Sequence, residues 1–437
     1  MHLAESYPPD YGGGAAIYLQ DVCRFLTERG HEVRVLCAES ADRPPYTIRT
    51  DADGSVRVYR INLPYFRDHD PGGWGLSIRE WQLHQKRTLG ALTTCNDEWT
   101  PDLVNFHTPY SLLEECLPLI EAKRLPVVGL LHDAWVICPR LNLIRSPTGN
   151  SCTGPGPGRC LECLYSHWDG SHAKAAVKLP WRALKLGFYP AYKLLKRREA
   201  RQYVRGLIAV SRFIAEVHEG FIPGPVRHIS LGVDLTGLPE TRPVRPRAPL
   251  RFGFAAGFQT HKGIWDILDA AALLKREGLE FELHIWGPGQ QREPIEQRDL
   301  GDRVFLRGSF SRQDKWQAFA EMDVLVMATR VAEAHGRVVQ EAAAMGAPTL
   351  APAVGGITEQ IRDGVDGLLY RFLDVDDLSR QMARLIRNPS LVGELSANLR
   401  PVVDTRTAVG EIEKFYFEVL GQGAQVADVA EVNAARG

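Results

Sequence analysis

Long apolar runs are missing from this chain. No stretch reaches the roughly 18 to 20 residues that a membrane span needs, and the first residues carry no charged-then-apolar leader pattern. The expected compartment is therefore the cytoplasm. Excess charge of either sign is missing too: 52 Lys and Arg stand against 53 Asp and Glu, a net charge of -1. That balance argues against a nucleic-acid binder driven by bulk electrostatics. What remains is a chain of 437 residues, 44% hydrophobic and 24% charged, long enough for two or three soluble globular domains.

The opening of the chain predicts a short strand, turns at Pro8 and Pro9, and a triglycine at Gly12, Gly13 and Gly14. A helix from Ala15 to Arg29 follows, with Ile17, Val22, Phe25 and Leu26 on its apolar face, and Glu32 to Ala38 forms the second strand. This is one strand, glycine turn, helix, strand unit of a Rossmann-like half. The triglycine lacks the third glycine of a Gly-x-Gly-x-x-Gly fingerprint, which disfavours an NAD dehydrogenase.

Further along, a buried strand after Pro101 ends at His107, and a second, Pro126 to Leu131, ends at His132 and Asp133. Ligands of open parallel sheets collect at the carboxyl ends of strands, so His107 is placed to face a cleft. Leu238 to Leu250, rich in proline and arginine, predicts a stiff extended linker. Beyond it, Gly257 and Gly263 frame a loop that presents Lys262 just before an amphipathic helix, a place for an ammonium beside phosphates.

The stretch from Glu333 to Gly367 concentrates the chemistry. Glu333 and Glu341 stand eight positions apart, the first in a turn and the second on a helix running from Arg337 to Met345. The loop around Ala334, His335 and Gly336 would offer amides at the positive end of that helix, where an anion such as phosphate is favoured. Glu341, one turn in, could accept hydrogen bonds from a vicinal diol. A buried strand, Ala347 to Ala353, and the Gly355-Gly356 pair follow, the glycines allowing close backbone approach to a ligand.

This combination of Glu-x7-Glu, Ala-x-Gly-Ala-Pro-Thr-Leu-Ala and Gly-Gly-x-x-Glu resembles the donor-site signature of retaining glycosyltransferases of family 4. The resemblance implies the α/β GT-B fold, two Rossmann-like parallel-sheet domains facing across a cleft. It implies a donor site formed by Gly12, Gly13, Gly14, Lys262, His335, Gly336, Arg337, Glu341, Gly355 and Gly356, with His107 and Glu333 as the catalytic pair contacting the transferred sugar. It also implies that Gly287 and Gly289 lie near the nucleotide base, that the leaving phosphate takes the acceptor proton, and that no catalytic metal is needed. The family usually has an arginine directly after Gly257, where this chain has Phe258, so Arg337 becomes a candidate for the missing charge.

Two segments fall outside the resemblance. Cys138, Cys152, Cys160 and Cys163 lie within 26 residues, separated by 13, 7 and 2 positions among glycines and prolines. Four thiols with a Cys-x-x-Cys knuckle suit a structural zinc ion in a reducing compartment, with an iron-sulfur cluster, disulfides or unligated thiols as alternatives. Cys23, Cys37, Cys95 and Cys116 predict reduced, mostly buried thiols. Residues 171–205 carry ten Lys or Arg against one Glu, interleaved with Trp181, Phe188, Tyr189 and Tyr192. That pattern suits peripheral contact with anionic headgroups or an anionic acceptor, although a solvated basic face shares it.

The expected organisation is an acceptor-side domain over 1–240, containing the cysteine insertion at 134–168 and the basic segment, then a nucleotide-sugar domain over 241–400. A helix at 401–421 packs back on the first domain and a flexible tail covers 422–437. The expected function is transfer of a sugar from a UDP- or GDP-linked donor to a hydroxyl of a glycan, lipid-linked or small-molecule acceptor. A sugar-nucleotide 2-epimerase of the same fold and a non-catalytic nucleotide-sugar binder are the alternatives.

Overall fold

The computed structural model describes residues 1–9, 13–63, 78–96, 100–107, 112–134, 136–138, 143, 152, 154, 156, 159–160, 163, 201–288, 295 and 303–421. Gly12, Gly289, residues 171–200 of the basic segment and the tail from 422 lie outside them. The chain forms two compact units, residues 1–230 with 405–437, and residues 231–404.

The first unit is built on an eight-stranded sheet. Its strands are β1 (His2–Ala4), β2 (Arg34–Glu39), β3 (Ile48–Asp53), β4 (Val56–Asn62), β5 (Val104–Phe106), β6 (Val127–Leu131), β7 (Val204–Ala209) and β8 (Val226–His228), in the order β3-β4-β2-β1-β5-β6-β7-β8. All neighbours are parallel except β3 and β4. The inner strands are buried on both faces, which is why β6 reads Val-Val-Gly-Leu-Leu without alternation. Helix α1 (Gly14–Glu28) buries Tyr18, Leu19, Val22, Cys23, Phe25 and Leu26. A large apolar side chain buried in this way contributes about 1.5 to 3 kcal/mol. Helices α2 (Ile78–Asn96), α3 (Leu112–Lys123) and α4 (Arg212–His218) complete the described elements between strands.

Strand β3 is not apparent from the sequence. Its Ile-Arg-Thr-Asp-Ala-Asp is largely polar and half-exposed, and it holds as an edge strand only by antiparallel pairing with β4 from Ile48 opposite Ile61 to Asp53 opposite Val56.

The second unit holds a six-stranded, all-parallel sheet: β9 (Leu250–Ala255), β10 (Phe281–Trp286), β11 (Val304–Gly308), β12 (Val324–Val326), β13 (Thr349–Pro352) and β14 (Gly367–Tyr370), ordered β11-β10-β9-β12-β13-β14. Helices α5 (Ile264–Arg276), α6 (Lys315–Ala320), α7 (Arg337–Ala344), α8 (Val375–Arg387) and α9 (Ser390–Ala397) belong to it. In each sheet the chain order reverses beside one strand, β1 in the first and β9 in the second, and such switch points open a crevice at the carboxyl ends of the strands.

Residues 238–250 are not a free linker. Arg242 Nε donates to the Ala344 carbonyl at 2.6 Å, Arg245 donates to those of Phe319, Met322 and Met345, and Arg247 donates to that of Ala320 at 2.7 Å. These carbonyls cluster at the C-terminal ends of α6 and α7, where helices leave acceptors unpaired and carry partial negative charge. The three guanidinium groups therefore bind the segment to the second unit, which begins at Leu231, earlier than residue 240.

Helix α10 (Thr405–Val419) lies in the first unit. Phe415 is fully buried against Gly206, where an added Cβ would come 2.7 Å from its ring. Glu413 binds Arg29 and, at 2.6 Å, His31.

Candidate active site

In the second unit the site begins at the carboxyl end of β9. Thr260–Lys262 forms a single 3-10 turn, and Gly263, with φ 74°, ends it and starts α5. A Cβ on Gly263 would meet the Ala328 carbonyl oxygen at 1.6 Å, so only glycine lets the turn press against the segment following β12. Arg330 N–H donates to the His261 carbonyl at 2.8 Å and fixes the same contact.

That contact brings Lys262 to Glu333. Lys262 Nζ donates to Glu333 Oε1 at 2.6 Å, and the Thr329 hydroxyl donates to the same oxygen at 3.2 Å. Burial opposes ionisation of Glu333, but the Lys262 ammonium and the two hydrogen bonds overcome it and hold the carboxyl below its ordinary value.

Helix α7 starts beyond Glu333. Gly336, with φ 79°, is its N-cap, and buried His335 precedes it, its carbonyl accepting from the Gln360 side chain. Glu341 lies one turn in, nearly buried, with Arg337 Nε at 3.5 Å and Lys315 Nζ at 3.9 Å. Arg337 is thus a neighbour of Glu341. Gly355, with φ 61°, packs on the chain itself: an added Cβ would lie 2.5 Å from the Glu333 carbonyl oxygen, which accepts from Gly356 N–H at 2.9 Å. The glycine pair thus packs closely on the backbone of Glu333 and helps to hold it. Phe258 is buried in the core of the unit, its N–H donating to the Pro288 carbonyl at 2.9 Å.

In the first unit, Gly13 is the N-cap of α1 and Gly14 its first residue. His107 follows β5 as expected, but it is only 2% exposed. Its Nε2 lies 2.9 Å from His2 Nδ1 and 3.4 Å from Asn105 Nδ2, and its Nδ1 lies 3.4 Å from His132 Nε2. The His107 and His132 rings stack with centroids 5.6 Å apart. Burial, with His2 and His132 adding to it, pushes the His107 pKa well down and keeps the ring neutral. Both ring nitrogens are engaged within the protein, and His132, half-buried, is the more accessible ring.

Sequence reasoning missed several neighbours. Thr329 and Lys315 sit in otherwise unremarkable contexts, and only packing brings them to the two glutamates. Glu5, directly after β1, was legible as a charged residue at a strand end. Burial pushes its carboxyl up to about 8, with the charge of Asp133 adding to the effect.

The four cysteines at 138, 152, 160 and 163 are half-buried. Cys160 Sγ accepts from Gly156 N–H at 3.3 Å and Cys152 N–H donates to the Leu143 carbonyl at 2.6 Å. Among the described residues no group of three or more His, Cys, Asp or Glu side chains is arranged to hold a metal ion. Among them, too, no helix is long and apolar enough to cross a membrane.

Two α/β units on mostly parallel sheets give the GT-B fold, and the family matches make the chain a glycosyltransferase. Residues 242–401 match the model of the glycosyl transferases group 1, and residues 12–236 match that of Glycosyltransferase Family 4. The chain belongs to glycosyltransferase family 4. It is 26% identical to a 2-deoxystreptamine glucosyltransferase of Streptomyces kanamyceticus, over 91% of this chain and 97% of that one. It is 24% identical to an MMP alpha-(1->4)-mannosyltransferase of Mycolicibacterium hassiacum, over 89% of each. Among solved structures, sucrose-phosphate synthase from Thermosynechococcus elongatus superposes with a TM-score of 0.64 at 17% identity, covering 100% of this chain and 99% of that one. Anabaena HepE in complex with UDP-glucose superposes with a TM-score of 0.57 at 17% identity, covering 99% of each.

Proposed function

We propose that this glycosyltransferase moves a sugar from a nucleoside diphosphate sugar, UDP- or GDP-linked, to an acceptor hydroxyl with retention at the anomeric carbon. The observation that carries the proposal is the Lys262–Glu333 pair set beside the start of α7, with Glu341 one turn further in. An ammonium and a helix N-terminus stabilise a diphosphate as it departs. Glu341 accepts hydrogen bonds from the ribose hydroxyls, and Glu333 orients the sugar. In the first unit, His107, stacked on the half-buried His132, orients the transferred sugar together with Glu333. The bond from the anomeric carbon to the diphosphate breaks, the bond to the acceptor oxygen forms on the same face, and the acceptor proton passes to the leaving phosphate. That the solved HepE structures hold UDP and UDP-glucose supports a UDP-linked donor.

A thermal-shift panel of UDP-, GDP- and dTDP-sugars tests the donor. A ligand at about 100 times its dissociation constant adds about 2.7 kcal/mol of stability, and no shift with any of them would reject the reading. Proton NMR of the product reports the anomeric configuration, and inversion would reject retention. Change of the donor sugar without acceptor would instead indicate an epimerase.

Two further parts of the proposal rest on composition. The cysteine insertion holds a structural zinc ion, whose binding would gather Cys138, Cys152, Cys160 and Cys163 and couple to the folding of that segment. Support comes from the four thiols lying within 26 residues with a Cys-x-x-Cys pair. Purified, reduced and active protein without metal would reject it. The protein works in the cytoplasm and touches anionic membrane surfaces through residues 171–205, which lack of flotation with anionic vesicles at low salt would refute.

A further inference from the structure

The segment that leads from β1 into the glycine turn contains Tyr7, Pro8 and Pro9. Neither proline has an N–H, so the segment cannot be held by a ladder of its own donors. What holds it are its carbonyls. Arg60, on β4 and 1% exposed, donates through Nη1 to the Tyr7 carbonyl at 2.7 Å and through Nη2 to the Pro8 carbonyl at 2.6 Å. Its Nε donates to Asp51 Oδ2 on β3 at 2.6 Å, which supplies the counter-charge that a buried guanidinium requires. Only a planar fork reaches two successive carbonyls and a carboxylate together, and a lysine could not.

A second grip acts from the same hairpin. Asp53 Oδ2, at the end of β3, accepts from the Tyr7 hydroxyl at 2.8 Å and from Gln20 Nε2 at 2.8 Å. Tyr7 is fully buried, and Gln20 lies on α1, the helix that Gly13 caps. The β3–β4 hairpin therefore holds the chain on both sides of the glycine turn, by its carbonyls before it and by the helix after it.

We infer that Arg60 is a positioning residue for transfer, and that with Asp53 it forms a clamp that sets the Gly13-Gly14 turn for the donor. The inference rests on the proposed transfer reaction and on the donor contact that the family resemblance implies for that turn, but the clamp can be read separately. Tyr7→Phe and Asp53→Asn each remove part of the second grip with little change in volume. Both variants should exchange the amides of residues 5–7 and 13–16 faster, with melting temperatures within a few degrees of wild type. Turnover number should fall about tenfold, while the KM for the sugar nucleotide stays within about twofold, since misplacement of a positioned group acts on the transition state. Arg60→Ala should lose more, and where it folds, added guanidinium should restore part of the turnover.

Unchanged exchange in both conservative variants overturns the clamp. So does faster exchange with an unchanged turnover number. A wild-type protein that transfers from no nucleotide sugar would count against the proposed function instead, and the exchange measurement would still decide whether the clamp exists.

Discussion

Lys262 Nζ lies 2.6 Å from Glu333 Oε1, so each of these two groups is the other's counter-ion across 71 residues of sequence. Charge-assisted hydrogen bonds are worth about 1.5 to 3 kcal/mol. Lys262→Ala should therefore weaken sugar-nucleotide binding by about 10- to 100-fold, read by titration calorimetry. Unchanged affinity would remove Lys262 from the donor site.

The same variant changes the pH dependence. Lys262 helps hold the Glu333 carboxyl below its ordinary value against the opposing effect of burial. Without the ammonium, burial remains and the carboxyl rises. The acid limb of kcat/KM should accordingly move to higher pH in Lys262→Ala, whereas an unmoved limb would mean that ionised Glu333 is not required.

Gly263 gives a test of the backbone. Alanine there would need a left-handed φ of 74° and a Cβ 1.6 Å from the Ala328 carbonyl oxygen. Gly263→Ala should destabilise the protein by more than about 2 kcal/mol. Gly278→Ala has the same sign of φ but meets nothing within 4 Å, so thermal unfolding should show a smaller loss.

Glu413 ties α10 to Arg29 and His31. Burial opposes its ionisation, but these hydrogen bonds hold its folded pKa below the ordinary carboxylate value. A depressed carboxylate stabilises the fold above its unfolded pKa, and that contribution is lost as pH falls through the folded value. Glu413→Gln should therefore cost about 1 kcal/mol near neutrality, the partners being partly exposed. The difference from wild type should shrink below about pH 4 in acid titrations of melting temperature.

Arg245→Met removes guanidinium bonds to the carbonyls of Phe319, Met322 and Met345. Leaving such acceptors unsatisfied costs about 1 to 3 kcal/mol. Chemical denaturation should show that loss, and a stability equal to wild type would mean that these bonds are replaced by water.

The turn at Gly263 and the helix start at Gly336 were legible in the chain because their signals are local. Gly263 lies next to Lys262, and Glu333 and Glu341 flank a glycine N-cap and the helix start, so their spacing survives any packing of the rest. The first unit was less legible. The edge strand Ile48–Asp53 has polar alternation that a turn-rich loop would share, and it is stabilised by pairing with β4. The burial of His107 against His2 was not legible either, since nothing near it in sequence announces His2 on β1.

The sequence by itself determined the alternation of strands and helices, the positions of the strand ends and glycine turns, and through them the membership of the family. Those follow from periodicity and from the backbone needs of single residues, which act over a few positions. Tertiary structure alone decided that Lys262 meets Glu333, that three arginines bind residues 238–250 to the second unit, and that Arg60 grips the carbonyls of Tyr7 and Pro8. These are bonds between residues tens of positions apart. Their partners are chosen by which strand ends and helix termini the packed sheets bring together and by the need of buried charges and carbonyls to be satisfied there.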